Sequence, residues 1–298
     1  MTDKKRNRFE PQPMPQQAPE IRAHNFDEVA LGYGFEMARA EAERCLQCKR
    51  PTCIEGCPVG VAIPAFIKAV ADGNLELALE TLTADNSFPA ICGRVCPQET
   101  QCQAQCVLGR RGAAVEIGRI ERFVADWARE QGVSVTPMTE VRPTGHRVAV
   151  VGSGPAGLAC AADLAKLGHY VTIFEALHKP GGVLAYGIPS FRLPREVVQA
   201  EVRAVEGLGV EIKTDWIIGK TATIDELIED GYEAVFVATG AGLPSFLDIP
   251  GEDLNGVYSA NEFLTRVNLM GANRFPAVDT PVRIPKRVGV VGAGNVAM

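Results

Sequence analysis

The chain has 298 residues, 46% of them hydrophobic and 22% charged, and a formal net charge of −6. That balance suits a globular protein long enough for two domains, each burying its own core. It lacks the long basic run that nucleic acid attracts and any stretch of 18 or more apolar residues that could cross a membrane, so the sequence reads as cytoplasmic.

Residues 1–20 are rich in Pro, Gln and charge and read as a flexible arm. The start, Met1-Thr-Asp-Lys-Lys-Arg-Asn-Arg8, has no apolar segment behind its charges and so does not form a secretory leader. Residues 21–130 read as a helical domain. Helical patterns fall at Gly34–Leu46, at Ala62–Val70 with Pro64 in the first turn, at Leu75–Leu82 and at Val115–Arg129.

Eight of the nine cysteines lie in this domain, as Cys45, Cys48, Cys53, Cys57 and then Cys92, Cys96, Cys102, Cys106; Cys57 and Cys96 each precede a proline. A disulfide framework needs an oxidising compartment, for which there is no leader. Structural zinc wants paired C-x₂-C knuckles, and only Cys45 and Cys48 have that spacing. The runs fit two [4Fe–4S] clusters, whose ligand runs often end in Cys-Pro and often lend a cysteine to the neighbouring cluster. From spacing alone, the simplest division is four cysteines per run, Cys92 included.

Residues 131–146 read as a linker, and from Arg147 the pattern turns to alternating strands and helices. The strand Arg147–Gly152 enters Gly152-Ser153-Gly154-Pro155-Ala156-Gly157. A helix follows to Leu167, then the strand Tyr170–Phe174 and the acid Glu175. Strand, glycines, helix, strand and acid in this order make a dinucleotide fingerprint. Gly152 allows the tight turn, Gly154 lets a pyrophosphate approach, and Gly157 lets helix and strand pack. The helix N-terminus faces the phosphates, and Glu175 accepts from the ribose. Gly181-Gly182 and the strand end Thr239-Gly240 add to this site, and Cys160 reads as a small buried hydrophobe. A second strand and glycine turn, Arg287-Val-Gly-Val-Val-Gly292-Ala-Gly294-Asn-Val-Ala297, begins another dinucleotide motif.

Ala238-Thr-Gly240 resembles the strand end of flavoproteins with two dinucleotide domains, which favours FAD at the first motif. Arg44-Cys-Leu-Gln-Cys-Lys49, Gly56-Cys-Pro-Val59, Ile91-Cys-Gly-Arg-Val-Cys-Pro-Gln-Glu99, Ile117-Gly-Arg-Ile-Glu-Arg-Phe123 and Val183–Pro194 resemble the small (β) subunits of NADPH-dependent glutamate synthase and their relatives. Those relatives include the N-terminal part of dihydropyrimidine dehydrogenase and the large subunit of electron-bifurcating ferredoxin:NADP oxidoreductases.

The resemblance implies an α-helical, ferredoxin-like domain holding two [4Fe–4S] clusters, followed by a Rossmann-type α/β FAD-binding domain over 147–284. The first strand and turn of an NADPH-binding domain would occupy 285–298. In this reading the chain is a fragment that holds clusters, binds FAD weakly and does not oxidise NADPH. It also implies an interleaved ligand division: Cys45, Cys48, Cys53 and Cys106 for one cluster; Cys57, Cys96, Cys102 and Glu121 for the other, with Cys92 a neighbour. The implied function is electron input from NAD(P)H through FAD and the clusters to a catalytic partner such as a glutamate synthase large subunit, or to a ferredoxin-linked flavoprotein. A relay or assembly module without nucleotide turnover is the alternative. No acid–base residue is required, since the cofactors carry the chemistry. Arg94, Arg110 and Arg111 are candidates to offset cluster charge, while Gln98 and Glu99 read as solvated.

Overall fold

The structure, a computed structural model, describes residues 8–133 and 141–298. The start of the expected arm (1–7) and the centre of the expected linker (134–140) lie outside the described residues. The chain forms two compact units, one of residues 1–141 with Phe191–Ala204, the other of residues 142–190 with 205–298.

The first unit is helical, with α1 (Pro19–Arg22), α2 (Phe35–Ala42), α3 (Thr52–Glu55), α4 (Ile63–Asp72), α5 (Leu75–Asp85), α6 (Pro89–Val95) and α7 (Ile117–Gln131). Its core is built from one apolar face of each longer helix, including Ala38, Phe66, Ile67, Val70, Leu79, Leu82, Ile120 and Val124. Glycines in left-handed conformation end α4 and α7, at Gly73 (φ 80°) and Gly132 (φ 65°), where a β-carbon would be strained.

Residues 8–18 are laid against these helices rather than free. The Gln12 amide donates to Glu41 Oε2 at 2.7 Å, the Tyr33 hydroxyl to the Gln12 carbonyl at 2.6 Å, and Arg44 Nε to the Arg8 carbonyl at 3.0 Å. The reason is a buried ion pair: Glu41 and Arg44 are 0% and 4% exposed, and passing backbone supplies the hydrogen bonds that pair still needs. A second difference concerns Phe191–Ala204, expected within the nucleotide domain. The Phe191 carbonyl accepts from Val29 N at 3.0 Å, and its ring lies 6.3 Å from that of Phe26. In α10 (Arg195–Gly207), Glu201 accepts from Ala90 N at 3.2 Å.

The second unit carries a parallel sheet in the order β3-β2-β1-β4, made of β1 (Arg147–Val151), β2 (Tyr170–Phe174), β3 (Glu211–Lys213) and β4 (Ala234–Val237). Between β1 and β2 runs α8 (Pro155–Lys166), burying Leu158, Ala161 and Ala162. The short α9 (Val183–Tyr186) follows, then α11 (Ile224–Glu229), opened by a Thr223–Glu226 capping box, and α12 (Ala260–Asn268). Sheet order and parallel register are those of a Rossmann-type dinucleotide fold.

The strand expected over Arg287–Val291 does not form. Val288, Val290 and Val291 are exposed at 67%, 65% and 79%, and no strand pairs with them among the described residues. A lone extended segment leaves its backbone donors and acceptors without a ladder, so its apolar sequence alone does not hold it as a strand.

Candidate cluster and dinucleotide sites

Two close approaches thread the cysteine runs together. The Thr52 hydroxyl donates to the Gln105 carbonyl at 2.6 Å, and a β-carbon on Gly56 would stand 2.8 Å from the Gln101 carbonyl oxygen. The first run is thereby pressed into the tail of the second. One hollow is consequently lined by Cys45, Cys48, Cys53 and Cys106, with Leu46, Pro51, Pro64 and Leu108 among the walls. Among the described residues no three His, Cys, Asp or Glu side chains converge on a point that would hold a single metal ion. Thiols standing around a hollow instead suit a polynuclear cluster, which brings its own volume. Burial raises the Cys45 thiol and pushes that of Cys53 up to about 11. These sulfurs become good thiolate ligands only when a cation compensates their desolvation.

The second group forms where α6 crosses α7. A β-carbon on Gly93 would fall 2.6 Å from Arg122 N, so only glycine admits this approach. Cys92 lies on α6 and Cys96 caps its end, while Glu121 sits one turn into α7, almost fully buried. Burial pushes the Glu121 carboxyl up to about 8, with Cys96 adding to it and Asn86 opposing. Burial likewise raises Cys102 to about 12, helped by Glu121 and Cys57. Cys102 is thus within electrostatic reach of Cys57 and Glu121, and Glu121 within reach of Cys96 and Cys92. A buried carboxylate facing thiolates is a mismatch that iron would resolve, so the residues fit a cluster here as well.

Three expectations need correction. Arg94 is committed to carboxylates rather than left to offset cluster charge: its Nε donates to Glu28 Oε1 at 2.8 Å and its Nη2 to Asp126 Oδ2 at 2.8 Å. Arg122 pairs with the same two carboxylates, and the four side chains join α6, α7 and the segment before α2. Gln98 is not simply solvated, because its Nε2 donates to the Cys92 carbonyl at 2.9 Å across Gly118, where a β-carbon would strike it. Cys160 is half-buried rather than core. Sequence reading missed Asn86 entirely. The only signal for it was a polar residue just before the Pro89 that opens a helix.

In the second unit the glycine turn joins the ends of β1, β2 and β4. Gly152 has φ 105°, and a β-carbon there would meet the Ala238 carbonyl oxygen at 2.4 Å and Thr239 N at 3.3 Å. At Gly157 it would lie 1.9 Å from the Gly152 carbonyl oxygen, and at Gly182 it would lie 2.6 Å from Gly154 Cα. Gly154, in contrast, faces open space, and no side chain caps the α8 N-terminus. Uncapped amides of Ala156 and Gly157, with Pro155 at the first position, leave the positive helix end available to an anion, so the site fits a dinucleotide pyrophosphate.

The Ser153 amide and hydroxyl donate to Glu175 Oε2 at 2.8 and 2.5 Å, and Leu177 N donates to its Oε1 at 2.8 Å. Gly181 N donates to Ser153 Oγ at 2.9 Å. Glu175 is therefore held by three donors with little freedom to turn. Thr239 and Gly240 follow β4, and Ala238 N extends its pairing to the Val151 carbonyl at 2.8 Å. Gly292 and Gly294 belong to a separate turn, closed by Ala297 N and Met298 N on the Gly294 carbonyl.

These features define an iron–sulfur dinucleotide oxidoreductase. The profile of dihydropyrimidine dehydrogenase domain II, 4Fe-4S cluster, matches residues 22–133, and that of the pyridine nucleotide-disulphide oxidoreductases matches residues 146–298. The chain belongs to the pyridine nucleotide-disulphide oxidoreductase family, with a 4Fe-4S domain ahead of the dinucleotide fold. It is 37% identical to the glutamate synthase [NADPH] small chain of Escherichia coli (strain K12), over 95% of this chain and 60% of that one. Against the Azospirillum brasilense small chain the figures are 37%, 96% and 60%. The NAD-dependent dihydropyrimidine dehydrogenase subunit PreT of Escherichia coli O157:H7 is 36% identical over 96% of this chain and 65% of its own. The resemblance drawn from the cysteine and glycine motifs is borne out, and the chain spans about 60% of the length of these small chains. The cofactors of the two families are [4Fe–4S] clusters and the FAD and NAD(P) of flavin-linked oxidoreductases. No helix among the described residues is long and apolar enough to cross a membrane.

Proposed function

We propose that the chain is the electron-input module of an NAD(P)H-dependent iron–sulfur flavoprotein that delivers electrons to a separate catalytic subunit. The observation that carries this reading is the convergence on one hollow of Cys45, Cys48 and Cys53 from the first run with Cys106 from the end of the second, and the buried Glu121 carboxyl among the remaining cysteines. We assign the first four as ligands of one cluster and Cys57, Cys96, Cys102 and Glu121 as ligands of the other.

Flavin, when bound, takes a hydride from reduced nicotinamide and gives up electrons singly, and the clusters carry them onward. The chain's own residues bind and orient. The α8 N-terminus and the space over Gly154 receive the pyrophosphate, and Glu175, locked by Ser153 and Leu177, presents its carboxylate to the ribose. Gly181, Gly182, Thr239 and Gly240 close the turn around it, while Gly292 and Gly294 begin a nicotinamide-dinucleotide site. Leu46, Pro51, Pro64 and Leu108 give the hollow apolar walls that limit solvent at the sulfurs, one of the levers on cluster potential.

The partner most consistent with the small-chain relatives is a glutamate synthase large subunit, forming glutamate from glutamine and 2-oxoglutarate. PreT is equally similar, and a pyrimidine-reducing partner is the second reading. The test is anaerobic reduction of the full-length protein by NADPH and by NADH, followed by electron paramagnetic resonance. Cluster signals that appear with either nucleotide and discharge on adding the large subunit support the proposal. Clusters reducible only by dithionite would leave a relay without nucleotide turnover.

A further inference from the structure

Asn86 is a buried polar residue, 5% exposed, to which neither cofactor site assigns a role. Its Nδ2 donates to Glu121 Oε1 at 2.7 Å. Its Oδ1 accepts from Phe88 N at 2.9 Å and from Cys92 Sγ at 3.5 Å. One amide therefore holds both side chains that could serve as the eighth cluster ligand. The Phe88 bond fixes its orientation: a flipped amide would set its NH₂ against a backbone N–H. In the orientation kept, the amide N–H faces Glu121 and the amide oxygen faces the Cys92 sulfur. A donor steadies the anionic oxygen a ligating Glu121 would offer, and an acceptor oxygen opposes the thiolate a ligating Cys92 would need. Gln98 holds the Cys92 carbonyl, which fixes the backbone from which the Cys92 sulfur reaches Asn86.

Resting on the ligand assignment above, we propose that Asn86 is the positioning residue that selects Glu121 over Cys92 as the eighth ligand. When the amide donor is removed, Glu121 loses its orientation and Cys92 is near enough to replace it. In that exchange an Fe–O bond breaks and an Fe–S bond forms. The Cys92 proton passes to the released Glu121 carboxylate, and no electron moves.

The experiment uses the full-length protein, purified anaerobically, as Asn86→Asp, Cys92→Ser and the double variant. Aspartate keeps the acceptor for Phe88 N and so the start of α6, but repels Glu121. The cluster at Cys45, Cys48, Cys53 and Cys106 is the internal control for folding. Each single variant should retain about eight irons, and the double variant about four, all lost from the second cluster. Asn86→Asp alone should shift the second cluster's resonance signal toward that of an all-thiolate cluster. Loss of iron from Cys92→Ser alone would sink the ligand assignment itself. A double variant that keeps eight irons, an Asn86→Asp protein with four, or one with an unshifted signal would overturn the role of Asn86 and leave the assignment standing. Loss of both clusters from Asn86→Asp would make the residue merely structural and also overturn it.

Discussion

Two glycines three residues apart show how one atom can separate folding from binding. An alanine at 157 places its β-carbon 1.9 Å from the Gly152 carbonyl oxygen, whereas at 154 it meets nothing within 4 Å. Gly157→Ala should therefore lose about 1–3 kcal/mol or more of stability through overpacking. Gly154→Ala should melt like the parent yet bind FAD at least tenfold more weakly, because the methyl takes the pyrophosphate's space; flavin titration beside a melting curve checks both.

Glu201 offers a pH signature at the same scale. Burial pushes its carboxyl up to about 7, against the opposing Ala90 amide and Arg94. Between the unfolded value near 4.3 and about 7 the folded chain keeps a proton that the unfolded chain has released, so stability falls as pH rises through that window. Glu201→Gln removes the dependence. The variant should gain on the order of 1–3 kcal/mol over the parent at pH 8 and little at pH 4, and equal differences at both pH values would refute the assignment. Individual residues were only partly legible in sequence. The cysteines and Gly152–Gly157 announce themselves by spacing, whereas Asn86, Glu41 and Arg44 act through partners far along the chain that spacing does not reveal.

The elements that organise the cluster region are α6 and α7, and their crossing depends on Gly93. Gly93→Ala should wedge the helices apart by forcing its β-carbon from the Arg122 backbone. We expect loss of the second cluster's iron with the first retained, counted by iron analysis and resonance; intact iron at both sites would refute that crossing. The Glu41–Arg44 pair ties the end of α2 to residues 113–116 through the Ala113 and Ala114 carbonyls and Glu116 N. Removing one member strands a buried charge, so Glu41→Ala should cost about 3–5 kcal/mol in a denaturant melt.

Elements were legible where periodicity was strong. The strands β1 and β2 fall where alternation and glycines place them, and α4, α5 and α7 where apolar spacing does. The helix α6 spans only Pro89–Val95, with Cys92 within it and Cys96 capping its end, too few residues for a periodic signal. The segment 287–291 shows the converse: an apolar strand pattern forms no strand without neighbours to pair with it, a condition local sequence does not contain.

At the scale of the molecule, a helical unit that gathers thiols adjoins in sequence a parallel sheet whose glycine turn receives a dinucleotide. The division of labour follows from composition: cysteines and buried walls in one unit, glycines and a helix N-terminus in the other. Fold class and family could be read from sequence because both depend on spaced, chemically distinctive residues. The membership of Phe191–Ala204 in the cysteine unit could not, since it rests on tertiary contacts made by ordinary apolar side chains and one glutamate.

The central claim is that the cysteines hold iron–sulfur clusters that exchange electrons with a flavin. It is tested most directly by measuring iron, acid-labile sulfide, zinc and flavin per polypeptide in the full-length, anaerobically purified protein. About eight irons, eight sulfides and one FAD are predicted. Stoichiometric zinc without sulfide would contradict the account and leave a structural metal domain beside a nucleotide fold.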